Sequence, residues 1–249
     1  MDLRDSKNML LRQLSAADRA RLEPHFTEEP LAFKQPLLEQ GKTAGRVYFI
    51  ESGVASMVTD LADGETVEAG TVGNEGLVGL SAVLGSRRSP NRVFCEIPGR
   101  ARVVAAGIIE KERRESTSWF GLLLRYVSFV TAMVTQTAAC NRMHMVDARM
   151  SRWLLMTHDR VGADDFPLTQ EFLAMMLGVA RPTVNIAGAT LQRAGFIRYT
   201  RGRITILDRK GLESASCECY QRIREELDAT MNRRSAPPNQ QSRSRRKKR

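Results

Sequence analysis

Residues 168–207 read LTQEFLAMMLGVARPTVNIAGATLQRAGFIRYTRGRITIL, and partway along this stretch the apolar period changes from helical to alternating. Phe172, Leu173, Met176 and Leu177 recur at helical spacing, and Thr169 ahead of them supplies an N-cap oxygen. Gly178 permits a sharp reversal, because glycine tolerates the left-handed backbone such a turn needs. A second helix is expected from Pro182, whose fixed φ and missing N–H suit the first helical turn. Its inward face would be Val184, Ala187, Leu191 and Ala194, and Gly195 would end it. From Phe196 to Leu207 the period drops to two, with Arg201-Gly202 where a hairpin turns. The reading is a helix-turn-helix followed by a two-stranded wing, a unit that lays its second helix in a DNA major groove.

The charge distribution agrees with a polyanionic partner. The formal net charge of the 249 residues is +10, but residues 233–249 hold eight Lys or Arg and no acid, leaving only +2 for residues 1–232. Within the latter, Arg181 to Lys210 holds seven basic residues against one acid, Asp208. Positive charge therefore collects on the expected reading helix and wing as well as on the tail. The tail, RRSAPPNQQSRSRRKKR, lacks an apolar cluster and is expected to be disordered, serving solubility or acting as a nonspecific phosphate-binding arm.

Other features exclude whole classes of function. The four cysteines, Cys95, Cys140, Cys217 and Cys219, show no metal-ligand spacing along the chain, and reduced thiols on half-buried faces are expected. His144 and His158 stand apart in sequence without partners, so neither haem nor a metal is expected. No Ser-His-Asp or Cys-His arrangement, P-loop or GxGxxG stands out, and Glu75 has no neighbouring carboxylate for acid–base work, so the chain does not read as an enzyme. The uncharged run Tyr126–Asn141 is shorter than the ~20 apolar residues of a membrane span, and the N-terminus has no signal-peptide core. A cytoplasmic protein with no membrane contact is expected.

Along the chain, residues 1–23 read as a short helical entry, including Ala16–Leu22. From Leu31 to about Val104 come short β runs punctuated by glycine: Arg46–Ser52 and Val54–Thr59 as two strands about Gly53, a hairpin at Asp63-Gly64, Glu65–Ala69, Arg92–Ile97 and Ala101–Ala105. Residues 108–145 read as helical. Trp119, Leu123, Tyr126, Val130, Met133, Thr137, Cys140 and His144 form a heptad stripe, either an internal core face or, as expected here, a seam with a second copy. A helix at Arg149–Val161 should pack on the two-helix unit, and Lys210–Asn232 reads as one more helix.

This order of parts resembles the Crp/Fnr family of bacterial transcription regulators over about residues 10–213. The likeness is carried by Thr169-Gln170-Glu171 and Gly178-Val179-Ala180-Arg181-Pro182-Thr183-Val184 in the head. In the β region it lies in Gly41, Val47-Tyr48-Phe49-Ile50, Gly53 and Gly73-Asn74-Glu75-Gly76-Leu77. The resemblance implies an α+β chain: a double-stranded, jelly-roll-like β-helix sensor at 10–115, a dimerisation helix at 116–146 and a winged helix-turn-helix at 147–213. A C-terminal helix at 214–232 and the basic tail at 233–249 follow. It further implies a homodimer paired through residues 119–145, double-stranded DNA with a near-palindromic site, and RNA polymerase as a further partner.

Departures from the family pattern shape the rest. In members that bind cyclic AMP, a Glu following a Gly and an Arg-Ser pair hold the phosphate. Gly73, Glu75 and Gly76 fit the first part, while the second falls on Asn91-Arg92, with Arg88-Ser89 as the alternative. Without a placed Arg and hydroxyl, the phosphodiester loses its charge-assisted partner, so cyclic-nucleotide binding is not expected. Residues 1–40 contain no Cys, so the N-terminal iron–sulfur cluster of the oxygen-sensing branch is not expected either. On the second helix, Arg181, Thr183, Asn185 and Ile186 are the expected base contacts; Thr169, Gln170, Arg201 and Arg203 are the expected phosphate contacts. Pro182 stands where the family pattern has an acid and Ile186 where it often has Arg, so the bound sequence should differ from that of the cyclic-AMP receptor protein. The competing reading is a sensor or scaffold acting through protein contacts, with nonspecific DNA binding only.

Overall fold

The computed structural model describes residues 2–86 and 88–232; the basic tail expected at 233–249 lies outside the described residues. After two short 3₁₀ turns and helix α1 (Ala16–Leu22), the chain enters an antiparallel β-roll. Its strands are β1 (Thr27–Leu31), β2 (Pro36–Leu38), β3 (Arg46–Asp60), β4 (Thr66–Val72) and β5 (Leu77–Val78), then, beyond the short helix α2 (Leu80–Val83), β6 (Arg92–Ala105). β3 and β6 pair along their length, and each changes its outer partner midway: β5 then β4 for β3, and β2 then β1 for β6.

The change of partner has a local cause, which corrects the expectation of a turn at Gly53. A Cβ on Gly53 would lie 2.4 Å from the Ile97 carbonyl oxygen, and one on Gly99 would lie 1.9 Å from that of Ser52. The two glycines let the strands cross closely at a bulge, so the chain bends without turning back. What read as four strands is two long bent ones. Both faces of the bend are buried. Val47 and Phe49 face the helices, while Tyr48 and Ile50 face the roll interior with Val72, Val93 and Val103.

Helix α3 (Ala106–Glu115) leads at Ser116 into α4 (Thr117–Met143), the Ser116 side chain accepting from the Trp119 N–H as an N-cap. At 27 residues α4 is about 40 Å long, and by length and composition it is apolar enough to cross a membrane. Here it is a core helix: Trp119, Leu123, Tyr126, Val130, Met133, Thr137 and Cys140 are all buried within the chain. The heptad stripe expected to be an intermolecular seam is thus an internal face. A second stripe at the same spacing, Phe120, Leu124, Val127, Thr131, Val134 and Ala138, lies beside it, with Leu124 44% exposed.

Helix α5 (Val146–Val161) follows the His144-Met145 break and buries nine consecutive residues from Arg149 to Thr157. Such all-round burial makes it the hub between roll and head. Beyond it come β7 (Asp165–Pro167), α6 (Gln170–Leu177), α7 (Arg181–Arg193), β8 (Ile197–Thr200) and β9 (Arg203–Ile206). The expected single helix at Lys210–Asn232 is two, α8 (Arg209–Ala215) and α9 (Cys219–Asn232), broken at Ser216–Glu218. Asp208 caps α8 through the Gly211 N–H, and Cys217 is buried at the break.

Candidate nucleic-acid interface

The head is built from local signals, and they act as the sequence suggests. The Thr169 oxygen accepts from the Phe172 N–H at 3.1 Å, capping α6, and Gly178 closes it with φ of 60°. The axes of α6 and α7 meet at 104°, within the range of a helix-turn-helix. Pro182 occupies the first turn of α7, where no N–H is required. Val184, Ala187, Gly188 and Leu191 are buried, whereas Ala194, expected on this face, is exposed at the C-cap.

The wing is fastened to α7 and to the segment that leads into α6. Arg201 and Gly202 both take positive φ, 48° and 77°, the geometry of a tight hairpin between twisted strands. The Tyr199 hydroxyl donates to the Leu168 carbonyl at 2.9 Å, and the Tyr199 N–H donates to the Gln192 side chain at 2.9 Å. β7 completes a three-stranded sheet through β9.

The outer face of α7 presents Arg181, Pro182, Asn185 and Ile186 to solvent, with Thr183 half-buried. Ile186 is 69% exposed, so its aliphatic side chain is open to an incoming surface. Arg201 is exposed at the wing tip and Gln170 is half-buried at the start of α6. Arg203 differs: its guanidinium pairs with Asp165 across β7 and β9, and that contact holds the Asp165 carboxyl below its ordinary range. Counting charges from Arg181 onward missed this acid, which precedes the segment by sixteen residues but adjoins it in the sheet. Arg193 and Arg198, also exposed, extend the basic surface.

The residues expected to form an effector pocket do not converge. Glu75 is buried against α5, where Arg160 donates to its Oε1 from Nε at 2.9 Å and from Nη2 at 2.8 Å. Gly73 and Gly76 make room for that packing: a Cβ would meet the Arg160 chain at 2.5 Å and the Tyr126 hydroxyl at 1.8 Å respectively. Arg92 forks onto both Asp60 oxygens at 2.7 Å, and Asn91 donates to Thr59 at 3.0 Å. The roll's own cavity, about 450 Å³, lies between the sheet and α4, lined by Val72, Val93, Val127, Val130 and Val134. Arg88, Ser89 and Asn91 supply polar groups, and Gly79 and Leu80 also line it. Of the two candidate pairs, Arg88 and Ser89 both line this cavity; of Asn91-Arg92 only Asn91 does, Arg92 being held by Asp60.

The head also docks on the roll. Phe172 of α6 meets Phe94 edge-on at 5.9 Å between ring centres, and the Trp153 indole N–H donates to Glu68 at 2.9 Å. Burial raises the Glu68 carboxyl from 4.5 to about 7, against the lowering pull of its Ser56 and Trp153 hydrogen bonds. Glu96 is buried with both carboxyl oxygens unpartnered among the described residues and is pushed up by burial and by Glu68.

Comparison with known proteins accounts for this pairing of parts. Residues 29–112 match the cyclic nucleotide-binding domain, and residues 148–215 match the Crp-like helix-turn-helix domain, together more than half of the chain. This combination defines a DNA-binding transcription regulator. The chain belongs to the Crp/Fnr family. The fold is shared with FixK2 from Bradyrhizobium japonicum: TM-score 0.67 and 17% identity, over 77% of this chain and 98% of that one. It is also shared with TTHB099, a CRP-family regulator from Thermus thermophilus: TM-score 0.64 and 21% identity, over 76% and 96%. The c-di-GMP-responsive regulator CLP from Xanthomonas campestris aligns with TM-score 0.60 and 16% identity, over 77% and 99%. No curated protein sequence matches the chain.

Proposed function

We propose that the protein works as a homodimer that reads a near-palindromic DNA site with one α7 helix per half-site. The outer face of α7 carries this reading. Arg181 and Asn185 are exposed there and make no side-chain hydrogen bond to the described residues, beside the exposed Ile186. An arginine fork suits guanine O6 and N7, an asparagine suits adenine N6 and N7, and an aliphatic side chain suits a thymine methyl. Arg201 and the cap of α6, Thr169 and Gln170, serve the phosphates; Arg203 does so only by leaving Asp165.

The second stripe of α4, centred on Leu124, Val127 and Thr131, is the seam of this dimer. It is apolar and periodic, with Leu124 open to solvent, while Val127, Thr131 and Val134 also border the cavity between roll and helix. Sedimentation of the full chain tests this: the wild type should sediment as a dimer, and Leu124→Glu as a monomer with weakened binding to a two-half-site duplex. A monomeric wild type at micromolar concentration contradicts the seam.

The cavity between roll and α4 is the place for a signal. It suits a ligand with an apolar body against the valines and an anionic end near Arg88, and no carboxylate of the described residues lines it. Such a ligand shifts the heads only through different affinity for their two arrangements. No iron–sulfur cluster, haem or other cofactor is needed for DNA reading itself. Contact with RNA polymerase and a cytoplasmic location complete the reading.

A further inference from the structure

We infer that Cys140, His144, Cys217 and Cys219 form a mononuclear, four-ligand site for a soft divalent metal ion, with zinc the best fit. Two ligands lie on the last turn of α4 and just beyond it, and two flank Glu218, Cys217 in the break after α8 and Cys219 as the first residue of α9. Their ligand atoms all lie within 4.8 Å of one another. Sγ of Cys140 is 3.5 Å from Sγ of Cys217, and Sγ of Cys219 is 3.6 Å from Nδ1 of His144. Tetrahedral zinc, with Zn–S of about 2.3 Å and Zn–N of about 2.0 Å, spaces its ligand atoms roughly 3.5–3.8 Å apart. The cluster is therefore near the required spacing, and small side-chain rotations close the rest. Multi-iron clusters hold their cysteine sulfurs farther apart, so the geometry favours one ion.

The surroundings support coordination independently of the four ligands. Nε2 of His144 is 3.2 Å from the Glu218 carboxylate, an arrangement that places the proton on Nε2 and turns the Nδ1 lone pair toward the thiols. Gln136 donates to Sγ of Cys219 at 3.0 Å, a bond suited to a thiolate. Arg149 and Arg152 are both buried, both leave Nε without a partner, and neither forms an ion pair among the described residues. Isolated buried cations are costly. Three thiolates and a neutral imidazole around a divalent ion carry one net negative charge, which these guanidiniums compensate. On coordination the three thiols release their protons to solvent, and no electron transfer is involved.

The position gives the site a consequence. It ties the end of α4, at the break leading into α5 and the head, to the segment that starts α9. Loading would fix that hinge, and removal would free it.

The test uses full-length protein purified untagged under reductant from zinc-supplemented cells. Elemental analysis should find about one zinc per chain, released by a thiol-blocking mercurial. Cobalt exchanged into the wild type should give intense tetrahedral d–d bands and sulfur-to-cobalt charge transfer. Glu218→Ala, at an exposed carboxylate, should keep the fold by circular dichroism and weaken zinc binding roughly 10–100-fold against a chromophoric chelator. His144→Ala should weaken it at least as much, and a Cys217→Ser/Cys219→Ser chain should hold none. The proposal is overturned by a folded wild type with four titratable thiols that takes up neither zinc nor cobalt. It is equally overturned by a Cys140–Cys217 disulfide forming in place of metal uptake, or by zinc content unchanged in the double serine variant.

Discussion

Arg160 and Arg181 stand on two helices of one head and do opposite things. Arg160, on α5, is buried and bound to Glu75 of the roll; Arg181, on α7, is exposed and without a side-chain partner among the described residues. A buried guanidinium fixes where the head sits, because separating it from its carboxylate leaves an uncompensated charge in a poor solvent. An exposed one with no internal contact remains available to an incoming acceptor. The same residue type thus marks the docked face and the reading face, and burial tells them apart.

The largest effect should come from breaking the docked side alone. Glu75→Ala leaves Arg160 buried without its anion and should cost roughly 3–5 kcal/mol in urea unfolding, whereas Glu75→Met/Arg160→Met should recover most of that loss. If the single and double variants unfold alike, the pair does not hold the head. On the reading side, Arg181→Ala should leave unfolding unchanged and cost about 1–3 kcal/mol of binding, with discrimination relaxed at one base pair. Equal weakening on every duplex would return Arg181 to the phosphates.

The docked face also carries a pH signature. The Glu68 carboxyl, raised from 4.5 to about 7, keeps its proton in the folded chain where the unfolded chain has released it. The folded state then binds more protons than the unfolded state, so stability present below pH 4.5 falls as pH rises through about 7. Glu96 is shifted the same way and adds to the slope. Thermal midpoints measured across that window should fall with pH in the wild type and flatten in Glu68→Gln/Glu96→Gln. The smallest effect distinguishes the two wing arginines. Arg201→Ala should lower the salt dependence of DNA binding by about one phosphate contact, while Arg203→Ala, already neutralised by Asp165, should change it less.

The head was legible in the sequence because its determinants are local. Thr169, Gly178, Pro182 and Arg201-Gly202 each set a cap, a reversal or a turn within a few residues. Where determinants are long-range, the reading slipped. Gly53 looks like a turn until Gly99 is placed against Ser52, across a strand pair that sequence order does not reveal. α4 bears two adjacent apolar stripes, and only the fold decides that one is fully buried while the other is left partly exposed. Glu75 fitted a phosphate-binding pattern, but its partner, Arg160, lies 85 residues away. The Cys-His cluster had no spacing signal, since its halves come together from positions 77 residues apart; Cys217-Glu218-Cys219 breaking an otherwise helical run was the available hint.

Selection of bound duplexes from a random DNA pool by the full chain, at moderate ionic strength, probes the reading most directly. Two inverted half-sites should emerge, their centres one helical turn (about 10–10.5 base pairs) or a multiple of it apart, with one base pair in each half relaxed by Arg181→Ala. Enrichment of solitary half-sites, or of no sequence at all, would contradict a paired α7 reading head.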